Sequence, residues 1–202
     1  VSGSGGAIYN DNGDIYIDAE AVFSNNKAGA NGGALYNGKK TVISSATFDG
    51  NSAASGGAIY NADDGVLELN NSSTFVNNSA VKSGGIIYNS GTLNINGSSN
   101  TVRVSLSNSS AQQGGAISSG YNVNQNKGSD SILSINWARF EGNTAIVKDN
   151  KDTATYGGAI YNGGNEKPSY TKIYNTDFID NKSLGRDSSI TTTAGGGGAI
   201  YN

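Results

Sequence analysis

The chain has 202 residues, 35% hydrophobic and 14% charged, with a formal net charge of −3. That balance, without runs of Lys and Arg, argues against nucleic acid as a partner, and no apolar stretch reaches the ~18 residues of a spanning helix, so no membrane insertion is expected of this segment. Cysteine and histidine are both absent, which excludes zinc and copper sites built on them, thiol nucleophiles and Ser-His-Asp triads; no cofactor or metal is expected.

Read in chain order, short strand-like pieces recur in threes. The first unit has them at 7–10, 15–17 and 21–23, the second at 34–36, 41–43 and 46–48, the third at 58–60, 66–69 and 73–75. Turn residues separate them, as in Asp11-Asn12-Gly13-Asp14, Asn37-Gly38, Asp63-Asp64-Gly65 and Ser90-Gly91. Thirty glycines and the absence of a sustained i, i+3, i+4, i+7 apolar pattern disfavour helices.

Two motifs alternate along the whole chain. One is Gly-Gly-Ala-Ile/Leu-Tyr-Asn, with its aliphatic residue at Ile8, Leu35, Ile59, Ile87, Ile117, Ile160 and Ile200. The other is F-x-x-N, which contains all five phenylalanines: Phe23, Phe48, Phe75, Phe140 and Phe178, followed by Asn26, Asn51, Asn78, Asn143 and Asn181. In the fourth unit Leu106 takes the Phe position and Ser109 the Asn position. A period of about 24 to 43 residues belongs to stacked repeat architectures, and most units are too short for a four-stranded propeller blade. The fold class expected is all-β: a single-stranded parallel β-helix of about six coils of three short strands, rising about 4.8 Å per coil. Residues 1–202 read as a single β-helix domain, and as a piece of a longer solenoid, because no capping segment is visible.

Stacking assigns roles to the invariant positions. The Ile/Leu and Phe ladders face the core. The Asn ladder sits at a bend, where amides hydrogen-bond from coil to coil. The paired glycines permit positive φ or close packing. By strict alternation the motif tyrosines, Tyr9, Tyr36, Tyr60, Tyr88, Tyr161 and Tyr201, face away from the Ile. They form an exposed ladder that stabilises the stack, or a strip that binds sugar or protein. The opposite phase, with Ala and Tyr inward and Ile outward, is the alternative. Arg139 and Asp177 each precede a ladder Phe, so a cross-coil ion pair between them is expected.

The alternation of GGA[ILV] with F-x-x-N on a Gly/Asn/Ser-rich background resembles the polymorphic outer membrane protein repeat of chlamydial type. More broadly it is similar to the passenger domains of autotransporter adhesins. The resemblance implies a right-handed parallel β-helix displayed outside the cell, at the cell surface or secreted, and used in adhesion. It implies no catalytic residues.

The rhythm breaks at about 144–156 and again at about 182–196, after the fifth and sixth F-x-x-N positions. A further long connection spans 119–130. Insertions on one face of a solenoid are commonly the binding face. The residues there suited to protein or glycan contacts are Lys148, Asp149, Lys151, Asp152 and Tyr156 in the first, and Lys182, Arg186 and Asp187 in the second. A host-cell protein or glycan receptor is the partner expected, with end-to-end self-association through uncapped coils as a further contact.

An enzyme on this fold would need paired carboxylates on one strand face. The nearest candidates, Asp177 with Asp180 and Asp18 with Glu20, have no matching acid on the next coil and read as solvated surface. The chain is therefore expected to be an adhesin or display scaffold and not an enzyme. The alternatives are a carbohydrate-binding or polysaccharide-degrading β-helix whose active coils lie outside this segment, and a structural spacer or self-assembling fibre.

Overall fold

A computed structural model describes residues 3–120, 130–147, 154–163, 169–185 and 195–202. It is an all-β solenoid in which strand pairing is parallel throughout. Four main sheets run along its length. Sheet A joins Ile8–Asn10, Leu35–Asn37, Ile59–Asn61, Ile87–Asn89, Ile117–Ser119, Ile160–Asn162 and Ile200–Tyr201. Sheet B joins Asp14–Ile17, Lys40–Ser44, Val66–Asn70, Thr92–Asn96, Ser131–Asn136 and Ser169–Tyr174. Sheet C carries the Phe motif and joins Val22–Ser24, Thr47–Asp49, Thr74–Val76, Val104–Ser107, Ala138–Glu141 and Asp177–Ile179.

Sheet D corrects the expectation of three strands per coil. It joins Ser52–Ser55, Ser79–Ser83, Ser110–Ala111, Thr144–Ile146 and Lys182–Leu184, directly after the F-x-x-N bends. Its first strand, Ser-Ala-Ala-Ser, lacks the β-branched and aromatic residues that mark a strand, and Ser110–Ala111 and Lys182–Leu184 lack them too. Only one small residue per strand faces in: Ala53, Ala80, Ala111 and Ala145 are buried. The neighbouring coils supply the pairing that local propensity does not.

The core is a set of ladders. Leu35, Ile59, Ile87, Ile117 and Ile160 of sheet A are fully buried. So are Ile43, Leu67, Leu69, Leu93, Ile95, Leu133 and Ile135 of sheet B, and Phe48, Phe75, Leu106 and Phe140 of sheet C. Like side chains lie in direct register, as Leu35 with Ile59 and Phe75 with Leu106. Neighbouring Phe rings stack at centroid separations of 4.6 Å (Phe23–Phe48), 4.9 Å (Phe48–Phe75) and 5.0 Å (Phe140–Phe178). Each such buried side chain contributes about 1.5–3 kcal/mol.

Strict alternation does not hold in sheet A. Ala34 and Leu35 are adjacent, yet both are fully buried. The cause is a bulge repeated in each coil: the Ala58 carbonyl accepts from both Ala34 N (2.9 Å) and Leu35 N (3.0 Å). The Ile/Leu therefore faces in, the Tyr faces out, and the Ala joins the core. The paired glycines have separate jobs. Gly56 has φ +64°, where a Cβ would strike the Ile59 carbonyl. A Cβ on Gly57 would instead strike the Gly85 carbonyl of the next coil. The first glycine makes the bend and the second lets the coils touch.

Candidate functional site

Two buried polar ladders hold the corners. At the F-x-x-N bend Asn26 Nδ2 donates to Asn51 Oδ1, Asn51 Nδ2 to Asn78 Oδ1 and Asn143 Nδ2 to Asn181 Oδ1, each at 3.0 Å. Ser109 fills the gap: the Asn78 amide donates to its Oγ (3.0 Å), and its own amide donates to Asn143 Oδ1 (3.2 Å). The residue before each ladder position is left-handed, as at Asn25, Gly50, Asn77, Asn108, Gly142 and Asp180. These are the residue types that tolerate that region.

The second ladder belongs to the asparagine that closes the glycine motif. Asn10 Nδ2 donates to Asn37 Oδ1 (3.0 Å), Asn37 to Asn61 (2.7 Å) and Asn61 to Asn89 (2.8 Å). Asn89 then donates to Ser119 Oγ (3.2 Å). Sequence reasoning missed this ladder, although the signal was present: Asn recurs at this place in six copies and Ser119 stands in the seventh.

The tyrosines stack on the outer side of sheet A. Tyr9–Tyr36, Tyr36–Tyr60 and Tyr60–Tyr88 centroids are 4.7, 5.4 and 4.8 Å apart and nearly parallel. Ser118 interrupts the row before Tyr161 and Tyr201. The expectation of an exposed ladder needs correction in the middle. Tyr9 is 57% exposed but Tyr60 only 3% and Tyr88 9%, and the Tyr88 hydroxyl donates to the Gly120 carbonyl (3.3 Å). Burial, with help from neighbouring tyrosines, pushes the Tyr36 hydroxyl up to about 12 and raises Tyr88 and Tyr161 as well. Tyr36 and Tyr60, which stack on a ring to either side, have both faces covered.

The insertions are anchored by strands. Thr144–Ile146 pairs with Lys182–Leu184, and Thr155–Tyr156 pairs with Gly195–Gly196. The expected spans 144–156 and 182–196 thus begin and end inside the frame. Their bases are neighbours on one edge. Tyr156 lies there against Tyr201 (4.6 Å) and Tyr161 (6.0 Å), and Lys182 stands exposed at the start of its strand. Lys148, Asp149, Lys151, Asp152, Arg186 and Asp187 lie outside the described residues, as does most of 119–130.

The expected Arg139–Asp177 pair is also corrected. The two residues are register partners. Arg139 nevertheless bonds Glu141 on its own strand (2.9 Å), while Asp177 is taken by Arg103 (2.5 Å). Arg103 ends a connection, residues 97–103, that no sequence signal marked. Its guanidinium also lies 5.6 Å from the ring centre of Trp137 and bonds Asn100. Trp137 has φ +52°, a conformation that costs a bulky residue of order 1–3 kcal/mol. Of the carboxylate pairs considered, Asp177 is spent on Arg103, and Asp18 caps its own turn by accepting from Ala19 N (2.8 Å).

These repeats match a family model. The Chlamydia polymorphic membrane protein (Chlamydia_PMP) repeat is found at four places, residues 20–38, 45–62, 138–163 and 175–202. Over those segments the chain is similar to the polymorphic membrane protein repeat, a likeness that suggests a surface adhesin-type protein of the outer membrane or cell surface. No curated protein and no solved structure matches the chain.

Proposed function

We propose that the chain is a non-enzymatic scaffold of an adhesin. It holds contact surfaces for a host-cell or neighbouring-cell receptor, protein or glycan, and takes neither nucleic acid nor a membrane as partner. The observation that carries this reading is the placement of the two insertions. The register of Thr144 with Lys182 and of Thr155 with Gly195 sets the strand bases of both insertions side by side on one edge. A rigid stack of parallel ladders below them supplies the positioning that loops alone lack.

The test is binding of the purified chain to host cells, beside a variant in which 148–153 and 186–194 are replaced by short Gly-Ser links. That variant keeps the paired strands at the base of each insertion. Saturable binding that is lost on shortening supports a receptor site on this edge. Binding that survives shortening moves the site to another surface, and no binding by either chain would leave a spacer.

A further inference from the structure

The outer face of sheet B carries tyrosines that the stacking does not use. Strand Ser169–Tyr174 turns Tyr170, Lys172 and Tyr174 to solvent, with Tyr170 53% and Tyr174 56% exposed. Among the described residues neither ring packs on another, whereas the sheet A tyrosines spend their faces on one another. That difference decides what each set can bind. A pyranose packs its C–H face on the face of an aromatic ring. Rings inside the ladder have their faces on one another, while Tyr170 and Tyr174 have no ring neighbour among the described residues.

Lys172 stands between the two rings on the same side of the strand, with no carboxylate in ion-pair range among the described residues. The strand rise puts the rings about 13 Å apart, leaving room for several sugar units between them. The coil above presents Ile132, Ser134 and Asn136 at the same registers. The next residue is Trp137, half-buried at the corner and held left-handed. At the same corner other coils place Glu20, Ser45, Asn71 and Asn175, all with positive φ. The Trp137 ring lies under the Arg103 guanidinium, 5.6 Å from the ring centre, and so marks the corner beside the two tyrosines.

We propose that this face is a platform for an acidic glycan chain. The sugar lies along Tyr170 and Tyr174, with a carboxylate or sulfate on Lys172 and hydroxyls on Ser134 and Asn136. A protein partner suits the face less, because Lys172 and the amide row break up the apolar area that an interface core requires. The proposal rests on the adhesin reading above, but not on the inserted edge.

Trp137 is the single tryptophan of the chain, so its fluorescence reports on the corner next to this face. The purified chain is titrated with a heparin-derived octasaccharide, with a polygalacturonate oligomer and with uncharged dextran. A saturable fluorescence change with either acidic glycan, and none with dextran, is expected; the two acidic probes separate sulfate from carboxylate recognition. Tyr170→Ala/Tyr174→Ala lowers the affinity at least about tenfold, and Lys172→Gln weakens it with the circular dichroism spectrum unchanged. No response to either acidic glycan, an equal response to dextran, or binding untouched by these variants overturns the platform. If host-cell binding persists when glycan binding is absent, the platform falls and the adhesin reading stands.

Discussion

Asn51 shows how little freedom a ladder residue has. It is fully buried, its amide nitrogen donates to Asn78 Oδ1 and to the Phe23 carbonyl, and its carbonyl oxygen accepts from the Asn26 amide and side chain. Removing it leaves buried groups unpaired on both neighbouring coils, at about 1–3 kcal/mol per orphaned group. Asn51→Ala should therefore lower unfolding stability by about 3 kcal/mol in urea melts, and Asn51→Ser by less, since Ser109 already shows that a hydroxyl can relay the bond. The tyrosines give a pH signature. The folded chain holds the Tyr36 hydroxyl neutral to about 12, against an unfolded value of about 10. Between those values the native state binds more protons than the unfolded chain, so stability is whole below pH ~10 and falls as pH rises further. The raised Tyr88 acts in the same direction. Thermal melts across this range should show the decline, and Tyr36→Phe/Tyr88→Phe should flatten it.

At the level of one strand, the fourth coil shows how a ladder tolerates an exception. Where other coils pair Ala46, Ser73 or Ala138 with a Phe two residues on, this coil pairs Val104 with Leu106, all of them buried. A larger residue at the first position makes up for a smaller one at the second. Leu106→Phe alone should overfill the coil and cost about 1–3 kcal/mol. Adding Val104→Ala should return most of that loss, and a double-mutant cycle measured by urea unfolding would expose the coupling. The strands of sheet D make the opposite point. Ser-Ala-Ala-Ser has no strand character of its own, so pairing to Ser79–Ser83 on one side is what makes it a strand. Likewise the ion pair expected from Arg139 went to Glu141. Register alone did not decide it, because the connection at 97–103 brought Arg103 to Asp177 first.

Over the whole rod, each coil touches its neighbours and little else, which makes stability a sum along one dimension. The described core grades accordingly: Phe48, Phe75 and Phe140 are fully buried, while Phe23 and Phe178 near the two ends are only partly so. Hydrogen exchange should be slowest for the amides of 59–61, 67–69 and 93–95 and faster toward both ends. Uniform protection along the chain would instead indicate all-or-none opening. The fold class, the aliphatic and Phe ladders and the position of the Asn bend were legible in the order of residues, because stacking identical coils turns each physical demand into a repeated letter. The second Asn ladder was legible too, but was passed over as part of a glycine motif. What the sequence could not declare was anything set by contact between unlike coils: the fourth sheet, the bulge that buries Ala beside Ile, the burial of the middle tyrosines, and the Arg103–Trp137–Asp177 cluster. Repetition determines the solenoid by itself. The departures from repetition are resolved only where neighbouring coils meet, because their energies depend on partners about 30 residues or more away in the chain.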